Sequence, residues 1–127
     1  MIKIMDASAV INAYSLQENE EMYTTPSVIE ELKNIASKSL AESALAKGKL
    51  EVVSPKEEDI KEIKKKAREV GSEDHLSETD IDVLALALEK KGELITDDYT
   101  MQNLAAHLNI KYRGVTRGEI RKKKKFK

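Results

Sequence analysis

Apolar residues fall along this chain in short runs that alternate between the strand period and the helix period. The run Ile2–Met5 is apolar and ends at Asp6, which predicts a buried strand. From Ser8 to about Ser15, Val10, Ile11 and Tyr14 follow at helical spacing. A charged turn over 17–21 leads to a second short strand at 22–24. Thr25-Pro26-Ser27 reads as a helix start, with a capping hydroxyl and proline at the first helical position. That helix should carry Val28, Ile29, Leu32, Ile35 and Ala36, followed by a second helical piece over 40–47 ending at Gly48. A strand is expected at 50–53, closed by Ser54-Pro55. A helix over 56–70 has Ile60, Ile63 and Ala67 on one stripe and stops at Gly71, before a loop at 72–75.

Ser77 opens the most apolar helix, which contains Ile81-Asp82-Val83-Leu84-Ala85-Leu86-Ala87-Leu88. A helix apolar on nearly every side belongs between a sheet and other helices. Lys90-Lys91-Gly92 ends it, with cations at the negative end of the dipole. A strand at 93–96, a helix at 99–108 and a last strand at 110–112 complete the pattern. Strands alternating with helices predict an α/β fold: a mainly parallel central sheet flanked by helices, in three layers. The expected organisation is one domain over 1–112 and a basic tail or linker over 113–127.

Two of these strands run directly into acid, Asp6 after the first and Asp97-Asp98 after Leu94-Ile95-Thr96. Open α/β sheets bind ligands beyond the carboxyl ends of their strands, so parallel neighbours would bring these acids to one edge. Two helical acids can join them. Glu31 shares a face with Val28 and Ile35, whereas Glu30 lines up with Ser27, Lys33, Asn34 and Ser37 on the polar side. Asp80 aligns with Val83, Leu84 and Ala87; Asp82 aligns with Glu78 and Glu89 and looks solvent-facing. Each acid has a plainer role open to it. Asp6 can cap the following helix, Asp80 can close a capping box with Ser77, Glu30 can do the same with Ser27, and Asp97 or Asp98 can cap the helix from Tyr99. Glu31 has the weakest alternative, because a partly buried acid needs a partner.

Composition narrows the chemistry. The chain has 127 residues, no cysteine, 40% hydrophobic and 35% charged residues. The lack of cysteine excludes disulfides, thiolate zinc clusters, iron–sulfur clusters and a cysteine nucleophile. No apolar run approaches the roughly 20 residues that span a bilayer, and the start is too soon charged for a signal peptide. The expectation is a soluble, cytoplasmic protein without a membrane partner. The net charge of −1 hides an asymmetry: from Lys111 onward there are nine Lys/Arg and one acid, against 13 and 22 before it. Four or five acids gathered at one edge repel each other unless cations sit among them. Hard divalent ions with oxygen ligands, Mg²⁺ or Mn²⁺, one or two of them, are the natural counter-charge. Such ions polarise phosphate oxygens and activate water, which is the chemistry of phosphodiester hydrolysis.

The order of these pieces resembles the PIN-domain family of metal-dependent ribonucleases. The matching segments are Ile4-Met5-Asp6-Ala7-Ser8-Ala9, Thr25-Pro26-Ser27-Val28-Ile29-Glu30-Glu31-Leu32, Leu76-Ser77-Glu78-Thr79-Asp80-Ile81-Asp82-Val83-Leu84-Ala85-Leu86-Ala87 and Leu94-Ile95-Thr96-Asp97-Asp98-Tyr99. Each is weak alone; four in family order, across residues 1–112, are more specific. Within the family, Thr96-Asp97-Asp98-Tyr99-Thr100-Met101-Gln102-Asn103-Leu104-Ala105 looks most like the Nob-type endonucleases, which mature the 3′ end of small-subunit ribosomal RNA. The resemblance implies that Asp6, Glu31, Asp80 and Asp98 hold metal and carry catalysis, with Asp97 nearby and the choice between Asp97 and Asp98 open. Ser8 and Thr96 are expected to support them by hydrogen bonding. It also implies an RNA substrate within a pre-ribosomal particle. Nob-type proteins usually continue into a cysteine-bearing zinc ribbon, and this chain has none. That keeps a toxin-type PIN ribonuclease with an antitoxin partner as the alternative, beside a non-catalytic RNA-binding scaffold.

An acidic centre repels RNA, so affinity has to come from cations elsewhere. The candidates are Arg113, Arg117, Arg121, Lys122, Lys123, Lys124 and Lys125, against the plainer reading of a solvated tail. Tyr99 or Tyr112 can stack on an unpaired base or simply pack. His75 and His107 sit in no motif. Lys61, Lys64, Lys65, Lys66 and Arg68 read as the wet face of their helix. A receiver-like signalling domain would need its middle acid at a strand end, and a haloacid-dehalogenase-type phosphatase would need Asp-x-Asp where Asp6-Ala7-Ser8 stands.

Overall fold

The structure is a computed structural model and describes residues 2–11, 21–34 and 50–115. Its elements in chain order are β1 (Ile2–Met5), α1 (Ala7–Ile11), β2 (Glu21–Thr24), α2 (Pro26–Lys33), β3 (Leu50–Val52) and α3 (Glu57–Val70). After a 3₁₀ turn at Glu73–His75 come α4 (Glu78–Lys90), β4 (Glu93–Ile95), α5 (Tyr99–His107) and β5 (Tyr112–Arg113). The helical piece expected over 40–47 lies outside the described residues, as do the expected continuations of α1 and α2.

All strand pairs are parallel and the sheet order is β3-β2-β1-β4-β5. The chain winds outward from β1 to β3, then crosses back to β4 on the other side of β1. The order therefore reverses between β1 and β4, which pair with Met5 opposite Ile95. That crevice is where a sheet of this type binds ligands, and Asp6 and Asp97 follow its two walls.

Helix α4 supplies much of the core. Ile81, Val83, Leu84, Ala85, Leu86 and Ala87 are all buried, and the helix packs on β1 and β4 on one side and on α2, α3 and α5 on the other. Each fully buried Leu or Ile side chain contributes about 1.5–3 kcal/mol. The sequence's stop signals work as expected at two glycines. Gly71 ends α3 with φ +76, a left-handed conformation that suits glycine. Gly92 brings the α4–β4 turn against Ile2, where an added Cβ would lie 2.6 Å from a side-chain carbon.

Two elements differ from expectation. Residues 73–75 form a 3₁₀ turn rather than open loop, with the His75 N–H donating to the Ser72 carbonyl at 3.0 Å. The last strand starts at Tyr112 rather than Ile110, so an expected domain boundary after 112 falls inside it. The reason is local: the Ile110 N–H closes the end of α5 on the Ala105 carbonyl at 2.9 Å, and Asn109 takes a left-handed φ of 59. The chain becomes free for the ladder only after that cap.

Candidate metal centre

A cleft of about 350 Å³ opens at the carboxyl edge of the sheet, lined by Asp6, Ala7, Ser8, Ile11, Glu31, Thr79, Asp80, Val83, Asp97 and Asp98. Among the described residues that line it there are five carboxylates and no Lys, Arg or His. All five acids singled out in the sequence line it; Glu30 and Asp82 do not.

Each aspartate is held by a backbone N–H. Asp6 Oδ1 accepts from the Ala9 N–H at 2.9 Å and from the Ser8 hydroxyl at 2.8 Å, so Asp6 caps α1 while facing the cleft. Asp80 Oδ2 accepts from the Ser77 N–H at 3.0 Å, and Ser77 Oγ accepts in return from the Asp80 N–H at 3.1 Å. The capping box is therefore present on the same residue that lines the cleft. Asp98 Oδ1 takes the Met101 N–H at 3.1 Å and caps α5; Asp97 Oδ1 takes the Val115 N–H at 2.8 Å. Capping and cleft-lining turn out to be compatible roles, because a carboxylate has lone pairs on both oxygens and a cap uses one. The caps fix where these side chains point.

The electrostatics carry the signature of crowding. Burial pushes the Asp6 carboxyl above its usual range, and the nearby Asp97 charge adds to the rise. Hydrogen bonds from Thr96, Ala9 and Ser8 oppose it without cancelling it. Burial likewise raises Asp80, with Asp98 adding repulsion. Among the described residues, no three acids are gathered tightly enough to share one ion. The donor set still fits a hard divalent cation: it offers carboxylate oxygens, and Mg²⁺ characteristically keeps several waters and takes one or two carboxylates directly.

Glu31 and Asp82 sit differently from the periodicity reading. Glu31 lines the cleft but is exposed rather than inward. Helix α2 buries Val28 and Leu32, and Glu31 lies at the margin of that stripe, where it overhangs the rim. Asp82 is not simply solvent-facing: its Oδ2 accepts from the Ser27 hydroxyl at 2.8 Å and ties α4 to α2. That engagement also removes the capping box expected between Ser27 and Glu30. Thr25 caps α2 instead, accepting from the Val28 N–H at 3.3 Å.

Thr96 is fully buried, and its Oγ1 accepts from the Asp98 N–H at 3.0 Å. Two further side chains support the site: Gln102, which stands in the segment that resembles the Nob-type endonucleases, and Thr24, which was not singled out. Gln102 Nε2 donates to the Thr96 carbonyl at 2.8 Å, and the Thr24 hydroxyl donates to the Met5 carbonyl at 2.7 Å. Both pin the strand ends from which the acids project. Gln102 was detectable as a polar residue on the buried stripe of Met101, Leu104 and Ala105.

The basic candidates are not at the cleft in the described residues. Arg113 leans back along β5 toward Glu93, with Nε 3.4 Å from Oε2, at the opposite edge of the sheet. Arg117, Arg121 and Lys122 to Lys125 lie outside the described residues. His75 and His107 are exposed and line no part of the acidic cleft. No helix among the described residues is long and apolar enough to cross a membrane.

A family model described as "PIN domain of ribonuclease" matches residues 4–89. The chain belongs to the PIN-domain family. It is 46% identical to the Endoribonuclease Nob1 of Methanocaldococcus jannaschii over 115 residues, covering 90% of this chain and 56% of that protein. It is 41% identical to the Endoribonuclease Nob1 of Pyrococcus abyssi, covering 91% and 69%. The chain thus spans about half the length of the first of these PIN-domain relatives. Among solved structures, the VapBC2 complex of Rickettsia felis, bound to a promoter DNA fragment, matches with a TM-score of 0.65 at 14% identity. That match covers 90% of this chain and 98% of that one, and it shows the shared fold alone.

Proposed function

We infer that this PIN domain is a divalent-metal-dependent endoribonuclease that hydrolyses an RNA phosphodiester during 3′-end processing of small-subunit ribosomal RNA. The observation that carries the reading is the cleft at the β1–β4 reversal, which five carboxylates line with no basic side chain among the described lining residues. The similarity to the two Nob1 proteins over nine-tenths of the chain supports the ribosomal substrate over a toxin role.

Asp6, Asp80, Asp97 and Asp98 would hold the ion or ions, with Glu31 reaching in from the rim. Bound Mg²⁺ or Mn²⁺ supplies Lewis-acid polarisation of a phosphate oxygen and lowers the pKa of water. The chain's own part is positional. Ser8 and the Ala9 N–H orient the Asp6 carboxylate, and Ser77 and Met101 orient Asp80 and Asp98. Thr96 and Gln102 fix the turn that carries Asp97 and Asp98. The clustered negative charge repels RNA phosphates, so affinity in the absence of metal comes from cations outside the cleft. Phosphate contacts are assigned to Arg113, Arg117, Arg121, Lys122, Lys123, Lys124 and Lys125.

The test is incubation with a 3′-extended small-subunit rRNA fragment and Mn²⁺, with an EDTA control and mapping of the products. Cleavage at the mature 3′ end that EDTA abolishes is the expected result. Scattered or tRNA-directed cutting would shift the reading to the toxin type. No cutting under any divalent ion would leave a non-catalytic scaffold.

A further inference from the structure

The first turn of α5 separates two clefts. Asp98 lines the acidic one; the next residue, Tyr99, lines a second cleft of about 490 Å³. Consecutive Cα atoms are about 3.8 Å apart, so adjacent residues at the start of α5 contribute to the two clefts. The second cleft runs between the turn after α3, with Gly71, Ser72 and His75, and the face of α5 that presents Tyr99 and Asn103, with Tyr112 alongside. Its chemistry is the reverse of its neighbour's, since no carboxylate is among the described residues that line it.

Two features of this cleft point to a flat, polar-edged occupant. Tyr99 is 59% exposed, unusual for so large a ring. Asn103 lies four residues on, on the same helical face, and offers two donors and an acceptor. Ser72 is 8% exposed, and its buried hydroxyl has no hydrogen-bond partner among the described residues.

We propose that this cleft is a subsite for one unpaired nucleobase of the RNA strand whose scissile phosphate lies at the acidic cleft. The strand's path rests on the nuclease reading above; the base site itself does not. Tyr99 provides the stacking face. Asn103 meets the polar edge of the base, while the Ser72 hydroxyl stays behind the wall. Unpaired bases are the usual targets of aromatic side chains on RNA-binding surfaces, because a duplex hides their faces. The cleft therefore requires a single-stranded region next to the cut.

The probe is a ten-nucleotide single-stranded RNA carrying one 2-aminopurine, titrated with the full chain in EDTA so that nothing is cut. Stacking is expected to quench the fluorophore. Tyr99→Ala should remove the quenching and weaken binding about 10-fold, within the range seen when base–aromatic stacks are deleted. Tyr99→Phe should restore both, and the same sequence as a duplex should not respond to either change. Asn103→Ala should weaken binding of the single strand while leaving quenching in place. Wild-type binding without quenching, no binding at all, or Tyr99→Ala binding within twofold of wild type would overturn the proposal. Tyr99 is exposed, and a melting curve for each variant checks that it is folded. Quenching by a wild-type protein that never cleaves would remove the nuclease reading and keep the base site. Cleavage that ignores Tyr99, with no quenching, would do the opposite.

Discussion

Lys3 and Asp6 stand three residues apart at the two ends of the same central strand, and both are buried, at 4% and 9% exposure. Their surroundings are opposite. At the amino edge, Lys3 pairs with Glu93 on the neighbouring strand, and Arg113 joins from the next. Burial would raise Glu93, but the two cations outweigh it and hold the carboxyl below its usual range. At the carboxyl edge, the charged neighbours of Asp6 and Asp80 among the described residues are other acids, and both are raised. One end of the sheet uses charge to close the fold. The other tolerates charge that destabilises the fold, which is a mark of a functional site. The contrast teaches that a buried charge alone says little; what matters is whether its partner comes from the protein.

The largest expected effect is on activity. Asp6→Asn should reduce Mn²⁺-dependent cleavage by at least about 100-fold, on the order of 3 kcal/mol of barrier. Asparagine caps helices as well as aspartate, so the fold should survive, and the metal-free variant should melt higher than wild type. Retained cleavage, or a lower melting temperature without metal, would break the contrast between the two edges.

Next comes the amino edge. Lys3→Met leaves the partly buried Glu93 carboxylate with Arg113 as its partner and should cost about 2 kcal/mol, read as a lowered midpoint in urea. Combining it with Glu93→Leu should recover part of that loss, since the buried carboxylate is then gone and the half-exposed Arg113 turns to solvent. A double variant no more stable than the single would show that the ion pair is not what ties β1 to β4 there.

A smaller effect tests the acid that lies outside the cleft. Asp82→Asn weakens the hydrogen bond from Ser27 and should cost about 1 kcal/mol while leaving cleavage intact. Loss of cleavage would place Asp82 in the site after all.

The smallest effect is in pH. Glu93 has a lowered folded pKa, so its stabilisation is fully present above its ordinary value of 4.5 and is lost as pH falls through the folded value below it. Asp6 and Asp80 have raised folded values, so their penalty is present at neutral pH and is relieved as pH falls toward 3.8. In EDTA, Glu93→Gln should flatten the acid limb of melting temperature against pH, and Asp6→Asn should flatten the gain on mild acidification. The same flattening from both variants would contradict the opposite signs.

Much of this molecule is legible in the residue order, and for a physical reason. Period and caps are local, so strand β1, helices α3 and α4 and the stops at Gly71 and Gly92 follow from neighbours along the chain. The acids after β1 and β4 are local too, and an α/β pattern already sends strand-end residues to one edge. What only the tertiary structure decided is pairing across the chain. Only the packed sheet shows that Arg113 lies beside Glu93, and Asp82 looked wet until Ser27 met it from another helix. Glu31 falls on the right face by periodicity, but how far it reaches over the rim depends on how α2 is set against α4. Those partners are 20 to 60 residues apart, roughly speaking, and sequence spacing fixes contacts only within a turn or two of helix. Beyond that range, burial and charge compensation are properties of the packed fold.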